Sequence, residues 1–188
     1  MSDFFQNGVI TTLHQLRQRP IDEIESELLR FSQTRPLSLV LPCLIDELSR
    51  PALQTIVSEI AKVPYLSQIV VGLDGADEAE YRAARQVCAQ LPQNTRVIWN
   101  DGPRLQALDE RLRSELLAPE ARGKGCNVWY SLGYILTHGE TYTGAVALHD
   151  CDILGYDRNM LARLLYPVAN NNFSYEFCKG YYARVGQE

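Results

Sequence analysis

Apolar and polar residues follow two different spacings along the chain, and stretches of each kind alternate. Short apolar runs predict buried strands at residues 37–41, 68–75, 95–102 and 145–153. Between them, apolar residues recur at the i, i+3, i+4, i+7 spacing of a helix face, most regularly at Leu53, Ile56, Val57 and Ile60. Strands that alternate with helices of ten or more residues indicate βαβ units. We therefore predict a three-layer α/β/α, Rossmann-like fold with a mostly parallel sheet.

The helical spacing also predicts where the helices lie. Residues 3–33 indicate a helical lead in which Pro20 starts a second helix, because proline suits a first helical turn. Further helices are predicted within residues 50–65, 76–91, 104–125, 127–139 and 157–171. Alternation in residues 173–185 predicts one more strand. We expect a single domain, residues 1–188, that consists of the lead, 1–34, and a core, 35–188.

Composition and charge narrow the function classes. The chain of 188 residues has a formal net charge of −5, which argues against a nucleic-acid partner. Because no segment approaches about 18 consecutive apolar residues, we expect no membrane span, and the N-terminus has no secretory signal pattern. The five cysteines are scattered without C-x-x-C spacing, which predicts neither a disulfide framework nor a zinc site. A cytoplasmic location is the expectation.

Two acids one residue apart follow the apolar run at residues 145–148. In an extended backbone residues i and i+2 point the same way, so Asp150 and Asp152 are expected to aim at one point. Two such carboxylates repel unless a cation lies between them, and Mg²⁺ or Mn²⁺ prefers oxygen ligands and substrate phosphates. The alternative is an acidic pair that caps the helix near Asp157. His149 and Cys151 point away from the pair and are interpreted as structural.

Two further segments carry candidate chemistry. Glycines flank Lys124 in "RGKGCN" just before a helix, where backbone amides and a mobile cation suit an anion, although a solvated turn is an equal alternative. The segment "LPCLIDE" ends a strand with Asp46 and Glu47. These acids either bind a ribose or base or form the acidic start of the next helix. In a parallel sheet, ligands bind beyond the carboxyl ends of the strands, where these segments meet.

Taken in order, the segments "LPCLIDE", "LDGADE", "GKG", "DCD" and "CKGYYAR" resemble a GT-A-type glycosyltransferase. The resemblance is to the group of glucosyl-3-phosphoglycerate synthases and the related glucosylglycerate and mannosylglycerate synthases. It implies a GT-A fold and a nucleotide-diphospho-sugar donor, carrying UDP or GDP. It further implies Mg²⁺ or Mn²⁺, a small anionic hydroxy-acid acceptor such as 3-phosphoglycerate or glycerate, and transfer with retention. A homodimer is also possible on this basis.

The resemblance implies roles for individual residues. Asp150 and Lys124 are the catalytic candidates, and Asp152 with Asp150 the metal candidates. The nucleotide-sugar would contact Pro42, Cys43, Leu44, Asp46, Asp74, Gly75, Lys124 and Asp150. The donor sugar or acceptor would lie near Lys179, Gly180, Tyr181 and Arg184.

This sequence also departs from the family pattern. Ile45 occupies the position of a family asparagine, Asp46 that of a glutamate and Gly75 that of a serine. Because of these changes, the sequence does not identify which nucleotide the donor carries. Members of the family are longer and carry a further histidine ligand and acceptor residues. Two alternative functions remain: a nucleotide-sugar-binding domain without catalysis, and a sugar nucleotidyltransferase. The second lacks support because no glycine-rich loop follows the first strand.

Overall fold

The computed structural model describes residues 19–138 and 143–180 and is built around a parallel sheet of four strands. The strands are β1 (Leu37–Leu44), β2 (Leu66–Asp74), β3 (Asn94–Trp99) and β4 (Ala145–Leu148), in the order β3-β2-β1-β4. The helices are α1 (Ile21–Ser32), α2 (Pro51–Ile60), α3 (Glu78–Cys88), α4 (Pro103–Ser114), α5 (Lys124–His138) and α6 (Arg158–Ala169). A short 3₁₀ helix, Ile45–Ser49, joins β1 to α2. The predicted α/β fold is confirmed.

Both faces of the sheet are covered because its central strand β1 is apolar on both sides. Leu39 and Leu41 point into a large core shared with α1, α2, α3 and α6. Val40 points the other way and packs with Val70 against Ile135 of α5. Because successive residues of a strand point to opposite faces and both faces of β1 are buried, residues 39–41 are apolar without a break. The three predicted layers are therefore present.

Helix α5 approaches the sheet closely at Gly72, in the middle of β2. A Cβ atom added there would lie 1.9 Å from Asn127 Oδ1 and 2.7 Å from Ser131 Oγ. Asn127 instead donates a hydrogen bond to the Gly72 carbonyl at 2.8 Å. The absence of a side chain at residue 72 thus lets the first turns of α5 lie directly on β2.

The lead packs on the core through α1 rather than standing apart from it. Phe31 of α1 lies against Tyr166 of α6, and Arg19 lies over the same tyrosine ring. Glu27 accepts a hydrogen bond from Arg19 at 2.7 Å and one from the Tyr166 hydroxyl. The predicted helix that starts after Pro20 is confirmed, whereas the helix predicted before it lies outside the described residues.

Several predicted element ends, and one predicted strand, differ from the structure. The fourth strand ends at Leu148, so residues 149–153, predicted as part of it, lie outside the strand. The strand predicted over residues 173–185 is wrong for residues 173–180, which are irregular and pair with none of the described strands. The rest of that segment lies outside the described residues. Helix α5 begins at Lys124, three residues before the predicted start. In the part of the chain that the structure describes, no helix combines the length and apolar character needed to cross a bilayer.

Candidate functional site

The carboxyl ends of β1, β2 and β4 meet at one edge of the sheet, as the sequence predicted. Leu44 at the end of β1 pairs in register with Asp74 at the end of β2. On the other side of β1, His149 is the first residue after β4, and its backbone N–H donates a hydrogen bond to the Val40 carbonyl at 3.1 Å. We refer to this edge as the strand-end rim. It brings Leu44, Asp74 and the Asp150-Cys151-Asp152 turn to the same side of the molecule.

Asp74 is held in place by two side-chain amides. Its Oδ1 accepts a hydrogen bond from Asn100 Nδ2 and its Oδ2 one from Asn127 Nδ2, both at 2.8 Å. Asn100 follows β3 and Asn127 belongs to the first turn of α5, so three elements fix one carboxylate. Each oxygen still has a lone pair, which leaves Asp74 able to accept a further hydrogen bond from a ligand.

Gly75 is fixed by a second network on the same rim. Its N–H donates to Asp101 Oδ2 at 2.7 Å, and Asp101 Oδ1 lies 3.4 Å from Arg122 Nη1. Arg122 also donates to Gln106 Oε1 at 2.6 Å. Gly75 has a φ of +77°, a backbone conformation that favours glycine over residues with a side chain.

Lys124 and Asp150 are brought together by the fold. The Lys124 ammonium forms an ion pair with Asp150 Oδ1, although 26 residues separate them along the chain. Lys124 is the first residue of α5, so the amides of the first helical turn, which lack helical partners, lie beside its side chain. Both side chains are about half exposed, at 56% and 47%. The pair is therefore open to a ligand in solvent.

The turn that carries the two aspartates is not the extended strand on which their alignment was predicted. Because β4 ends at Leu148, Asp150 lies in irregular backbone and Asp152 in a turn, where it is exposed. Among the described residues, these two do not join a third acid, cysteine or histidine in a metal-sized cluster. Their donors are carboxylate oxygens, which suit Mg²⁺ or Mn²⁺, and the open Asp152 side chain fits such an ion. Their role as metal ligands stays a prediction.

The end of β1 presents few side chains to the rim. Pro42 and Cys43 are buried, whereas Leu44 is 56% exposed and Asp46 is exposed. Glu47 Oε2 accepts the Leu44 N–H at 2.8 Å, so this acid serves the start of the 3₁₀ helix, one of the two sequence alternatives. Of the four residues predicted to contact the nucleotide here, only Leu44 and Asp46 are therefore exposed to a ligand in solvent.

A cleft opens beside Asp74, between α4 and the start of α5. Its lining includes Asp74, Asn100, Gln106, Asp109, Arg122 and Tyr130. The pKa of Asp109 is lowered by hydrogen bonds from Arg113, at 2.7 Å, and from the Tyr130 hydroxyl. Burial, followed by the bond to Asp109, raises the pKa of Tyr130. Asp109 and Tyr130 are therefore held in the cleft wall by one hydrogen-bond network.

His149, next to the aspartates, is buried as the structural interpretation expects. Its ring packs edge-on against Tyr156 with centroids 5.4 Å apart, and its Nδ1 has no hydrogen-bond partner within the described part of the chain. Burial lowers the pKa of His149 to about 4. The imidazole is thus neutral near pH 7 and packs as an apolar ring.

The segment predicted to face the sugar or acceptor is only partly described. Lys179 and Gly180 are exposed at its start. Tyr181 and Arg184 lie outside the described residues, so their predicted roles have no structural account.

Comparison with known proteins bears directly on this geometry. No protein-family model matches the chain. A glucosyl-3-phosphoglycerate synthase of Persephonella marina is 47% identical over 185 residues, which make up 98% of this chain and 45% of that protein. The chain is a relative of the glucosyl-3-phosphoglycerate synthases. The synthase of Methanococcoides burtonii is 33% identical over 187 residues, 97% of this chain and 44% of that protein. The chain therefore spans a little under half the length of both synthases.

Solved structures of the glucosyl-3-phosphoglycerate synthase from Mycobacterium tuberculosis share the fold of this chain. The complex with Mn²⁺, UDP and glucosyl-3-phosphoglycerate has a TM-score of 0.54 at 21% identity, over 84% of this chain and 46% of that one. The complex with Mn²⁺, UDP-glucose and phosphoglyceric acid has a TM-score of 0.54 at 20% identity, over 85% and 46%. At this identity the likeness establishes the fold, which is of the GT-A type.

Sequence reasoning missed the polar residues that organise the rim. Asn100 and Asp101 follow β3, and Asn127 and Arg122 flank the start of α5. The signal for the first two was present, because "WNDG" ends the third strand of a parallel sheet just as "LDG" ends the second. Asn127 carried no such signal, since a single asparagine in an apolar helix has no characteristic spacing.

Proposed function

We propose that this chain binds a nucleotide-diphospho-glucose at the strand-end rim and takes part in metal-dependent transfer of the glucosyl group to 3-phosphoglycerate. The observation that carries the proposal is the 47% identity to a glucosyl-3-phosphoglycerate synthase over 98% of the chain. The ion pair between Lys124 and Asp150 on the rim also supports it, since it joins two residues that the family resemblance places at the donor.

The side chains of the rim suit the parts of such a donor. Lys124 carries a mobile ammonium beside the amides of the first turn of α5, and both favour a diphosphate. When a diphosphate arrives, the ammonium can move from Asp150 to the phosphate oxygens, which frees the Asp150 carboxylate. Asp74, oriented by its two amide donors, would accept a hydrogen bond from the base or ribose.

Asp150 and Asp152 would hold the divalent ion. A bound Mg²⁺ or Mn²⁺ neutralises charge that grows on the departing nucleoside diphosphate. Lys124 would add a second positive charge to the same leaving group, so both effects lower the barrier in the same direction. Solved synthases of this fold contain Mn²⁺ together with UDP or UDP-glucose, which supports the choice of ion and donor.

The remaining features of the proposal carry over from the expectations of the sequence. We expect UDP rather than GDP as the nucleotide, retention at the anomeric carbon, and a cytoplasmic enzyme that can form a homodimer. Lys179, in the segment expected near the acceptor, would supply part of the positive charge that an anionic acceptor needs.

The test is turnover by the isolated chain. Purified protein is incubated with UDP-glucose, 3-phosphoglycerate and Mn²⁺, and both released UDP and glucosyl-3-phosphoglycerate are measured. We expect product only when all three are present, and none with Asp150→Asn. Saturable donor binding without product would restrict the function to donor binding, and the absence of both would overturn the proposal.

A further inference from the structure

Two buried thiols and a carboxylate converge directly beneath the strand-end rim. Cys43 is the penultimate residue of β1, Cys151 lies between the two aspartates, and Glu47 belongs to the 3₁₀ helix. One ligand atom from each, Sγ, Sγ and a carboxylate oxygen, lies within 4.8 Å of the other two. It is the only such group among the described cysteines, histidines and acids, and we call it the thiol cluster.

The size of the thiol cluster matches a tetrahedral metal site. Zinc–sulfur bonds of about 2.3 Å and zinc–oxygen bonds of about 2.1 Å place neighbouring ligand atoms roughly 3.5 to 4 Å apart. Ligand atoms that lie within 4.8 Å of one another therefore need to approach by about 1 Å or less to surround an ion. The set is two thiolates and one carboxylate, with a fourth position left for water.

The surroundings hold the three ligands in place and leave one way in. Cys43 and Cys151 are 2% and 1% exposed, so core packing fixes both thiols. Glu47 is half-buried, and the Leu44 N–H bonded to its Oε2 orients the carboxylate, as partners of a metal ligand commonly do. Since Glu47 alone of the three reaches the surface, an ion would enter along its side chain.

We propose that Cys43, Cys151 and Glu47 form a binding site for one thiophilic divalent cation, of which Zn²⁺ is the physiological example. Each thiol gives up one proton as its sulfur–metal bond forms, so the two thiolates balance the charge of the ion and Glu47 adds one negative charge. The soft sulfur ligands separate this site chemically from the all-oxygen pair Asp150 and Asp152, which suits Mg²⁺ or Mn²⁺. The proposal does not depend on glucosyl transfer.

The position of the thiol cluster gives the ion a structural effect on the rim. Cys43 directly precedes Leu44 in sequence, and Cys151 lies between Asp150 and Asp152. One ion bound to both sulfurs would tie the aspartate turn to the end of β1. The sequence expectation of no zinc site rested on C-x-x-C spacing, and it does not cover ligands that come from separate elements.

Cobalt binding tests the proposal, because Co²⁺ bound to thiolates in a tetrahedral site gives a sulfur-to-metal charge-transfer band and intense visible d–d bands. The reduced, metal-free chain is titrated with Co²⁺ under anaerobic conditions, and Zn²⁺ is then added. We expect saturation at one Co²⁺ per chain and loss of the bands when Zn²⁺ displaces it. Asp152→Asn should leave the bands unchanged, which separates the thiol cluster from the aspartates.

Matched variants identify the ligands. Cys43→Ser and Cys151→Ser should each abolish the thiolate bands, and Glu47→Gln should weaken Co²⁺ binding by at least about tenfold. Cys88→Ser, at another buried cysteine, is the control and should keep the bands. Circular dichroism of the metal-free variants checks that each is folded. Absence of thiolate bands in the wild-type chain, or their survival in a folded Cys151→Ser, would overturn the proposal, as would a Cys43–Cys151 disulfide that forms in preference to metal binding.

Discussion

The most informative single residue on the rim is Lys124, because it joins the glycine-flanked start of α5 to the aspartate turn. Its ammonium is paired with Asp150 and remains more than half exposed, so a diphosphate can compete for it. An exposed ion pair of this kind contributes little to stability, about 1 kcal/mol or less. We therefore interpret Lys124 as a residue for ligand binding rather than for folding.

Substitution of Lys124 tests this interpretation. Lys124→Gln should lower the affinity for UDP by roughly tenfold to a hundredfold, because hydrogen bonds to charged groups contribute about 1.5–3 kcal/mol. Unfolding by denaturant should change little. Calorimetric titration with UDP and Mn²⁺ measures the effect, and Lys62→Gln, which removes an exposed lysine paired with Glu59 on α2, is the control. Equal affinities in the two variants would remove Lys124 from the donor site.

Asp109 in the cleft wall gives a pH-dependent prediction. Arg113 and Tyr130 lower its pKa in the folded chain, so the carboxylate stabilises the fold at pH values above the ordinary aspartate pKa of about 3.9. That contribution is lost as the pH falls through the lowered value. Asp109→Asn should be less stable than wild type by about 1 kcal/mol at pH 7, since a neutral acceptor replaces a charged one for Tyr130.

Urea unfolding at a series of pH values measures the Asp109 contribution. The difference in the free energy of unfolding between wild type and Asp109→Asn should be constant from pH 7 to about pH 5 and shrink below the ordinary aspartate pKa of about 3.9. A difference that grows as the pH falls would contradict the assigned direction of the shift.

At the scale of elements, the contact between α5 and β2 positions the site. Gly72 admits Asn127, and Asn127 in turn holds Asp74. One small residue in a strand therefore links sheet packing to the orientation of a rim carboxylate.

Two glycine substitutions with opposite expected signs test the α5–β2 contact. Gly72→Ala places a methyl group 1.9 Å from Asn127 Oδ1 and should destabilise the fold by about 1–3 kcal/mol. Gly133→Ala, within the same helix α5, meets no atom within 4 Å and should stabilise by about 0.5–1 kcal/mol. Chemical denaturation measures both. Equal effects of the two substitutions would show that α5 does not press on β2 as described.

The sequence predicted the elements better than their ends, and the reason is physical. Apolar runs such as residues 37–41 mark what is buried, and burial determined the sheet. The end of β4 and the irregular course of residues 173–180 depend on which strands are present to pair with, and spacing within one segment carries no such information. The alignment of Asp150 with Asp152 was inferred from an extended backbone and so lost its premise when β4 ended at Leu148.

At the scale of the whole molecule, the same reasoning explains what was and was not predicted about the site. A parallel sheet directs the ends of β1, β2 and β4 to one edge, so the meeting of Leu44, Asp74 and the aspartate turn followed from topology. The partners of Asp74 did not, because Asn100 and Asn127 come from separate elements whose side chains meet only in three dimensions. The family resemblance placed Lys124 and Asp150 separately on the donor, and the ion pair that joins them was not predicted.

We propose above all that the rim binds a nucleotide-diphospho-sugar through a divalent ion held by the two aspartates. Isothermal titration of the chain with UDP-glucose, with and without Mn²⁺, measures it most directly, alongside Asp152→Asn as the variant. The account predicts saturable binding at one donor per chain that requires Mn²⁺ and is weakened at least about tenfold, or 1.4 kcal/mol, by the substitution. Binding that is equally strong without Mn²⁺, or unchanged in Asp152→Asn, would contradict it.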